Sequence, residues 1–181
     1  MKISLKESVG ISIAKGKTDT KIAALARAGR LGIILWHMRY AGENRAVEAE
    51  NLLLRRSAKR LRLRHVGEGK MEYRLLRLAC RQALIEWMNP HCDVCHGVAE
   101  VSEIHKRVVC NKCEGTGVRN YTDWERCDAL KITKAYYEKT WDKRFKVIHG
   151  VITGKDAETG AKVREQLMTD EALLEIEPEI A

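Results

Sequence analysis

Four of the six cysteines fall in one short stretch, as Cys92-x-x-Cys95 and Cys110-x-x-Cys113, with 14 residues between the pairs. Two thiols from each tight turn can supply the corners of a tetrahedron, provided the intervening chain folds back. Thiolates at that spacing suit zinc. Each pair is followed at the same offset by a glycine, Gly97 and Gly115, which lets the backbone turn so that amides face the sulfurs. The link between the pairs alternates, and predicts a hairpin of Val98–Ile104 against Lys106–Val109. One structural zinc ion held by Cys92, Cys95, Cys110 and Cys113 is therefore expected. Four thiolates leave no open position for a catalytic water. His91, His96 and His105 are close enough to replace a ligand, and otherwise read as a flank of this module or its hairpin turn. Cys80 and Cys127 lie in predicted helices and read as small buried side chains.

The stretch after the cysteines, Tyr121 to Ile152, must also be positioned. Thr122 can cap a helix through Leu130, with Trp124, Cys127 and Leu130 facing inward. Thr133 can cap a second helix from Lys134, in which Tyr137, Trp141, Phe145 and Ile148 recur at steps of four or three and read as core. Two helices joined by three residues read as a helix-turn-helix, with Ile132 plugging the gap. Thr133 opens the second helix, which would present Lys134, Glu138, Lys139, Asp142 and Lys143 outward, a set able to reach base edges and phosphates. The turn calls for a positive φ at Lys131, at a cost on the order of 1 kcal/mol for a residue with a side chain.

Upstream, a helix is predicted through residues 21–40, capped from Thr18-Asp19-Thr20, with Gly29 and Gly32 weakening it or marking a close approach. A second runs from about Arg45 to Arg64 with Val47, Leu54, Ala58 and Leu61 on one stripe. A third covers about Met71 to Met88 with Leu75, Leu78, Leu84 and Ile85 apolar, and Asn89-Pro90 stops it. After Ile152, Gly154 and Gly160 are expected to break the chain before a short acidic helix near 162–175. The expected fold is mainly α: a basic helical body (1–90), a small four-cysteine zinc-binding β-hairpin module (91–120), a helix-turn-helix DNA-binding element (121–153) and an acidic C-terminal tail (154–181).

Charge follows this division. Residues 1–90 carry 19 Lys and Arg against 8 Asp and Glu, or +11; residues 91–150 carry 11 against 9, or +2; residues 151–181 carry 3 against 8, or −5. A basic body points to a polyanionic partner, with nucleic acid first. The densest run holds Arg55, Arg56, Lys59, Arg60, Arg62 and Arg64, read either as a phosphate- or partner-binding face or as a solvated helix surface.

The cysteine segment followed directly by "DALKITKAYYEKTWDKRF" resembles the late-gene antitermination proteins (Q proteins) of lambda-like bacteriophages. The likeness covers roughly Cys92 to Ile152. The first knuckle departs from the second in reading "CHGVA", without the second glycine. The resemblance implies a protein that binds double-stranded DNA near a late promoter. It further implies engagement of a paused bacterial RNA polymerase holoenzyme, and read-through of terminators. By position, Lys134 to Lys146, Lys146 included, would carry the DNA contacts.

A regulator with the same DNA module and no antitermination role is the main alternative. A zinc chaperone module of the DnaJ type is a further one, although the chain has a single pair of knuckles and no J-type His-Pro-Asp. No carboxylate pair, P-loop or nucleophile with a neighbouring base suggests an enzyme or a small-molecule substrate. The longest apolar run near the start, Gly32 to Trp36, is far too short to span a bilayer, and no secretory signal is read. The expectation is a protein of the bacterial host cytoplasm with no membrane partner.

Overall fold

The computed structural model describes residues 28–63, 70–103 and 106–174. In chain order they form α1 (Arg30–Trp36), a π-helical turn (His37–Ala41), α2 (Ala46–Arg60), α3 (Met71–Met88), β1 (Glu100–Glu103), β2 (Lys106–Val109), α4 (Asp123–Leu130), α5 (Lys134–Tyr136), a second π-turn (Tyr137–Trp141) and α6 (Asp142–Leu174). The described residues are mainly helical, with one two-stranded sheet among them. They divide into two compact units: residues up to Leu53 together with those from Val151, and residues Leu54–Gly150.

In the first unit Leu31, Ile34, Leu35 and Met38 are buried, as are Ala49, Leu53, Ile152 and Val163. Gly32 permits a close approach: a Cβ there would meet Thr159 Oγ1 at 2.1 Å. Of the two roles open to this glycine, close approach is the one observed. Gly29 serves as the extended N-cap of α1. Arg39 reaches Asp156 at 2.6 Å, and Glu48 holds both Arg30 (2.9 Å) and Arg45 (2.7 Å). The proposed cap at Thr18–Thr20 lies outside the described residues.

The second unit is built on α3, whose bounds match the sequence reading. Leu75, Leu76, Ala79, Cys80, Ala83, Leu84 and Trp87 are buried. α4 packs on α3. Its Arg126 forms a forked pair with Glu86, at 3.0 and 2.9 Å, and lies over the Phe145 ring. Gln82 donates to the same carboxylate at 3.2 Å. Desolvation works against the Arg126 charge, yet the Glu86 carboxylate outweighs it and raises the guanidinium pKa further. Tyr137, Trp141, Phe145 and Ile148 are all buried, as their spacing predicts.

Several expectations are corrected. Of the stripe read on α2, Leu54 is buried, but Val47 is 69% exposed; the other buried positions are Ala49, Glu50, Leu53 and Ser57. The two polar members, Glu50 and Ser57, disguise the stripe. α2 ends at Arg60, with Arg62 in the left-handed region (φ 57°). Ile85 and Trp124 face outward, while Gln82 and Glu86 take inward positions as parts of an ion-paired network. α6 runs unbroken through Gly154 and Gly160 to Leu174. Glycine costs a helix only about 1 kcal/mol, and packing of Val151, Ile152, Thr159 and Val163 outweighs that. The basis for a tail separated by a helix break at Gly154 therefore disappears.

Candidate functional site

The cysteine module starts where α3 stops. Asn89 ends that helix by donating its side-chain amide to Ile85 O, and Pro90 prevents continuation. The two ends of the module are then tied together. Cys92 N–H donates to Gly117 O (2.9 Å), Arg119 N–H to Pro90 O (2.9 Å), and His91 pairs with Val118. Between the knuckles, Glu100 to Glu103 pair antiparallel with Val109 to Lys106, so the predicted hairpin is present with a shorter first strand. His105 lies outside the described residues, and His91 and His96 are exposed.

The two knuckles have the same backbone. His96 and Gly97 take φ of 51° and 89°, and Glu114 and Gly115 take 52° and 78°. The repetition extends two residues further. Gly117 has φ 70°, and its counterpart Ala99 adopts 71° despite its side chain. The missing glycine of the first knuckle thus leaves the turn intact and adds strain. At Gly117 a Cβ would meet Gly97 O at 2.6 Å, so this position admits only glycine.

These turns bring all four sulfurs within 4.8 Å of one another, each cysteine buried and none in a disulfide. Cys92 and Cys110 Sγ are 3.9 Å apart, and Cys95 and Cys113 Sγ 3.6 Å. A tetrahedral ion with metal–sulfur bonds of about 2.3 Å has sulfur–sulfur edges of about 3.8 Å. The cluster therefore fits a metal ion. Burial opposes ionisation of Cys110 and Cys113. At Cys113 the Gly117 N–H, 3.2 Å from the sulfur, and the neighbouring sulfurs overcome it and hold the thiol at about 7. At Cys110 burial prevails and the thiol is pushed up to about 11. Without a cation to compensate, four thiolates cannot all ionise in so small a volume; a bound divalent ion supplies that charge.

No protein-family model matches this chain, and no curated protein matches it in sequence. The site's chemistry must be read from its own residues.

Beyond the module, Arg119 joins Glu125 at 2.8 Å, and Tyr121 OH donates to Asn89 O at 3.0 Å. Glu125 also closes a capping box with Thr122: Thr122 N–H donates to its carboxylate, and its own N–H donates to Thr122 Oγ1. Thr122 N–H and Arg119 hold the Glu125 carboxyl below its ordinary range. α4 ends at Lys131, left-handed at φ 57°, ψ 46°. Thr133 caps the next helical run by accepting the Tyr136 N–H. Two helices joined by residues 131–133 are thus present with both expected caps.

Thr133, Lys134, Glu138, Lys139, Lys143 and Lys146 are exposed, and Asp142 is half-buried. Two pairs close within the helix: Lys134 with Glu138 (3.5 Å) and Lys146 with Asp142 (2.7 Å). Lys139 and Lys143 make no ion pair with the described residues. Sequence reasoning missed Trp124 on this side. It is 66% exposed, with the Lys134 ammonium 5.5 Å from its ring centre. It also missed a polar cleft of about 620 Å³ lined by His91, Asp93, His96, Arg119, Asp128 and Lys131 among others. No sequence spacing signals a cleft between segments so far apart. Of the basic run on α2, Arg55, Lys59, Arg60 and Arg62 are exposed and Arg56 is half-buried; Arg64 lies outside the described residues. No described helix is long and apolar enough to cross a membrane.

Proposed function

We propose that this chain is a zinc-containing, DNA-binding transcription antiterminator of the late-gene phage type. The reading rests chiefly on one observation. α4 and the helical run from Lys134 are separated by three residues, with Lys131 left-handed and Thr133 as cap, and the second run exposes Lys139 and Lys143. A short turn of this form allows a second helix to enter a major groove while the first crosses the backbone. Lys139 and Lys143 are one turn apart and make no ion pair among the described residues, and so are available to phosphates or base edges.

In this reading the four cysteines hold zinc. The ion is structural: it fixes the segment that links α3 to α4, and the Arg119–Glu125 pair passes that constraint to the first helix. DNA binding then anchors the protein near a promoter, where a paused polymerase holoenzyme is its partner.

The test has two stages. Footprinting on DNA flanking the gene's own promoter should reveal a protected site. Transcription across a terminator downstream of that promoter should then give added read-through with purified protein. Protection without read-through would reassign the chain to the regulators that lack antitermination activity. Absence of any protected site on such DNA would reject the DNA-binding reading itself.

A further inference from the structure

We propose that the C-terminal half of α2 is a second nucleic-acid contact, which grips the phosphodiester backbone without reading sequence. From Asn51 to Gly67 the chain carries no acidic residue. Leu54 and Ser57, 4% and 0% exposed, anchor the end of the helix inward. The other side carries two parallel rows, Arg55 with Lys59 and Arg56 with Arg60, each pair one turn apart. Like charges at that spacing destabilise a helix. The helix dipole compensates Lys59 and Arg60 in the last turn, and does not reach Arg55 and Arg56.

Most of the other described arginines lie beside a carboxylate, though not all of them. Arg30, Arg39, Arg45, Arg107, Arg119, Arg126 and Arg144 each lie within 4.0 Å of one. None of Arg55, Arg56, Lys59, Arg60 or Arg62 has such a partner among the described residues. Charge complementarity to a polyanion accounts for a face kept this way. A protein partner would also need an apolar or aromatic anchor, and no large hydrophobic residue is exposed between Leu54 and Leu63. A phosphate backbone needs only the charges.

The experiment uses the full chain and fluorescence anisotropy on two probes, a scrambled DNA duplex and a single-stranded RNA of equal length. The variant combines Arg55→Gln, Arg56→Gln, Lys59→Gln and Arg60→Gln. Its salt dependence on the duplex should become shallower by about 0.9 for each phosphate no longer neutralised, up to about 3.6 for four, or by about 0.7 for each on a single strand. Its affinity at low salt should drop at least tenfold on the probe that is the natural ligand. A change confined to one probe names the source as DNA or RNA. Unchanged slope and affinity on both would overturn the proposal. If the fourfold variant melts early, Arg55→Gln and Lys59→Gln are read singly, each expected to remove about 0.9 from the duplex slope or 0.7 from the single-strand slope; slopes equal to that of the parent chain would again overturn it. The replacement of Arg55, Arg56 and Arg60 by lysine should retain binding. The result is independent of the α4–α5 reading, because the ratio of promoter to scrambled affinity should stay constant in this variant and fall in Lys139→Ala.

Discussion

Ala99 is the residue at which backbone and side chain disagree most clearly. It occupies the left-handed position that Gly117 fills in the other knuckle, at φ 71° against 70°. Its Cβ costs about 1 kcal/mol there. Ala99→Gly should therefore raise the stability of the metal-loaded protein by about that amount, read as a higher midpoint in thermal or urea melts. An unchanged or lower midpoint would mean the turn is not strained. Trp124 supplies a second test at this scale. Trp87 and Trp141 are buried, whereas Trp124 is 66% exposed beside Lys134. Addition of promoter DNA should shift or quench tryptophan emission, and Trp124→Phe should abolish most of the change. The residue string marks Ala99 only as a glycine missing from the first knuckle, and it does not mark Trp124 as exposed. A tryptophan one step into an amphipathic helix normally reads as core, and alanine carries no mark of unusual backbone.

Among the elements, α4 and the run beginning at α5 were the most legible. Thr122 and Glu125 sit at capping-box spacing, and Thr133 follows the break by the right interval. The two π-turns were not legible, since nothing in their composition departs from ordinary helix. If the second run meets DNA, Lys139→Ala and Lys143→Ala should each weaken specific binding by about 1–3 kcal/mol. Exposed and without an ion pair among the described residues, both should leave the melting temperature unchanged. Normal binding by both variants would remove this helix from the interface. The joint between α3 and α4 is a different matter. Arg126 neutralises Glu86, whose side chain is 4% exposed. Arg126→Met would leave that carboxylate buried and unpaired, with an expected loss of about 3–5 kcal/mol in chemical denaturation. A loss under about 1 kcal/mol would show that Glu86 finds water or another partner.

For the whole molecule, the predictions turn on whether the four-cysteine cluster holds a metal ion. Binding must displace protons from thiols, above all from Cys110, which burial raises to about 11. Each proton displaced makes affinity change about tenfold per pH unit, so Cys110 alone should weaken the site about 100-fold between pH 8 and pH 6. Competition with a chromophoric chelator across that range reads all four thiols together, so the fall should be at least about 100-fold, and a smaller one would count against thiolate ligation. In the metal-free protein below pH 9 the sign is set by Cys113, since the raised Cys110 acts only above that pH. Its folded value, about 7, lies below the ordinary 9, so its thiolate contributes stability above pH 9 that is lost as pH falls through 7. A strong chelator should remove the ion and lower the melting temperature. Elemental assay of purified protein should find one zinc per chain, and a metal-free result would end the zinc assignment.

What the sequence determined by itself was local: the four-cysteine cluster, the caps at Thr122 and Thr133, the helix over Met71–Met88 and the core spacing of Tyr137, Trp141, Phe145 and Ile148. Each of these is encoded within a few residues, by turn chemistry or by helical period. The tertiary structure alone decided where α2 buries itself, that Trp124 faces out while Glu86 goes in, and that α6 continues through two glycines. Those outcomes depend on partners distant in the chain. Arg126 makes an inward glutamate tolerable, and packing around Thr159 supports a helix that local propensity would interrupt.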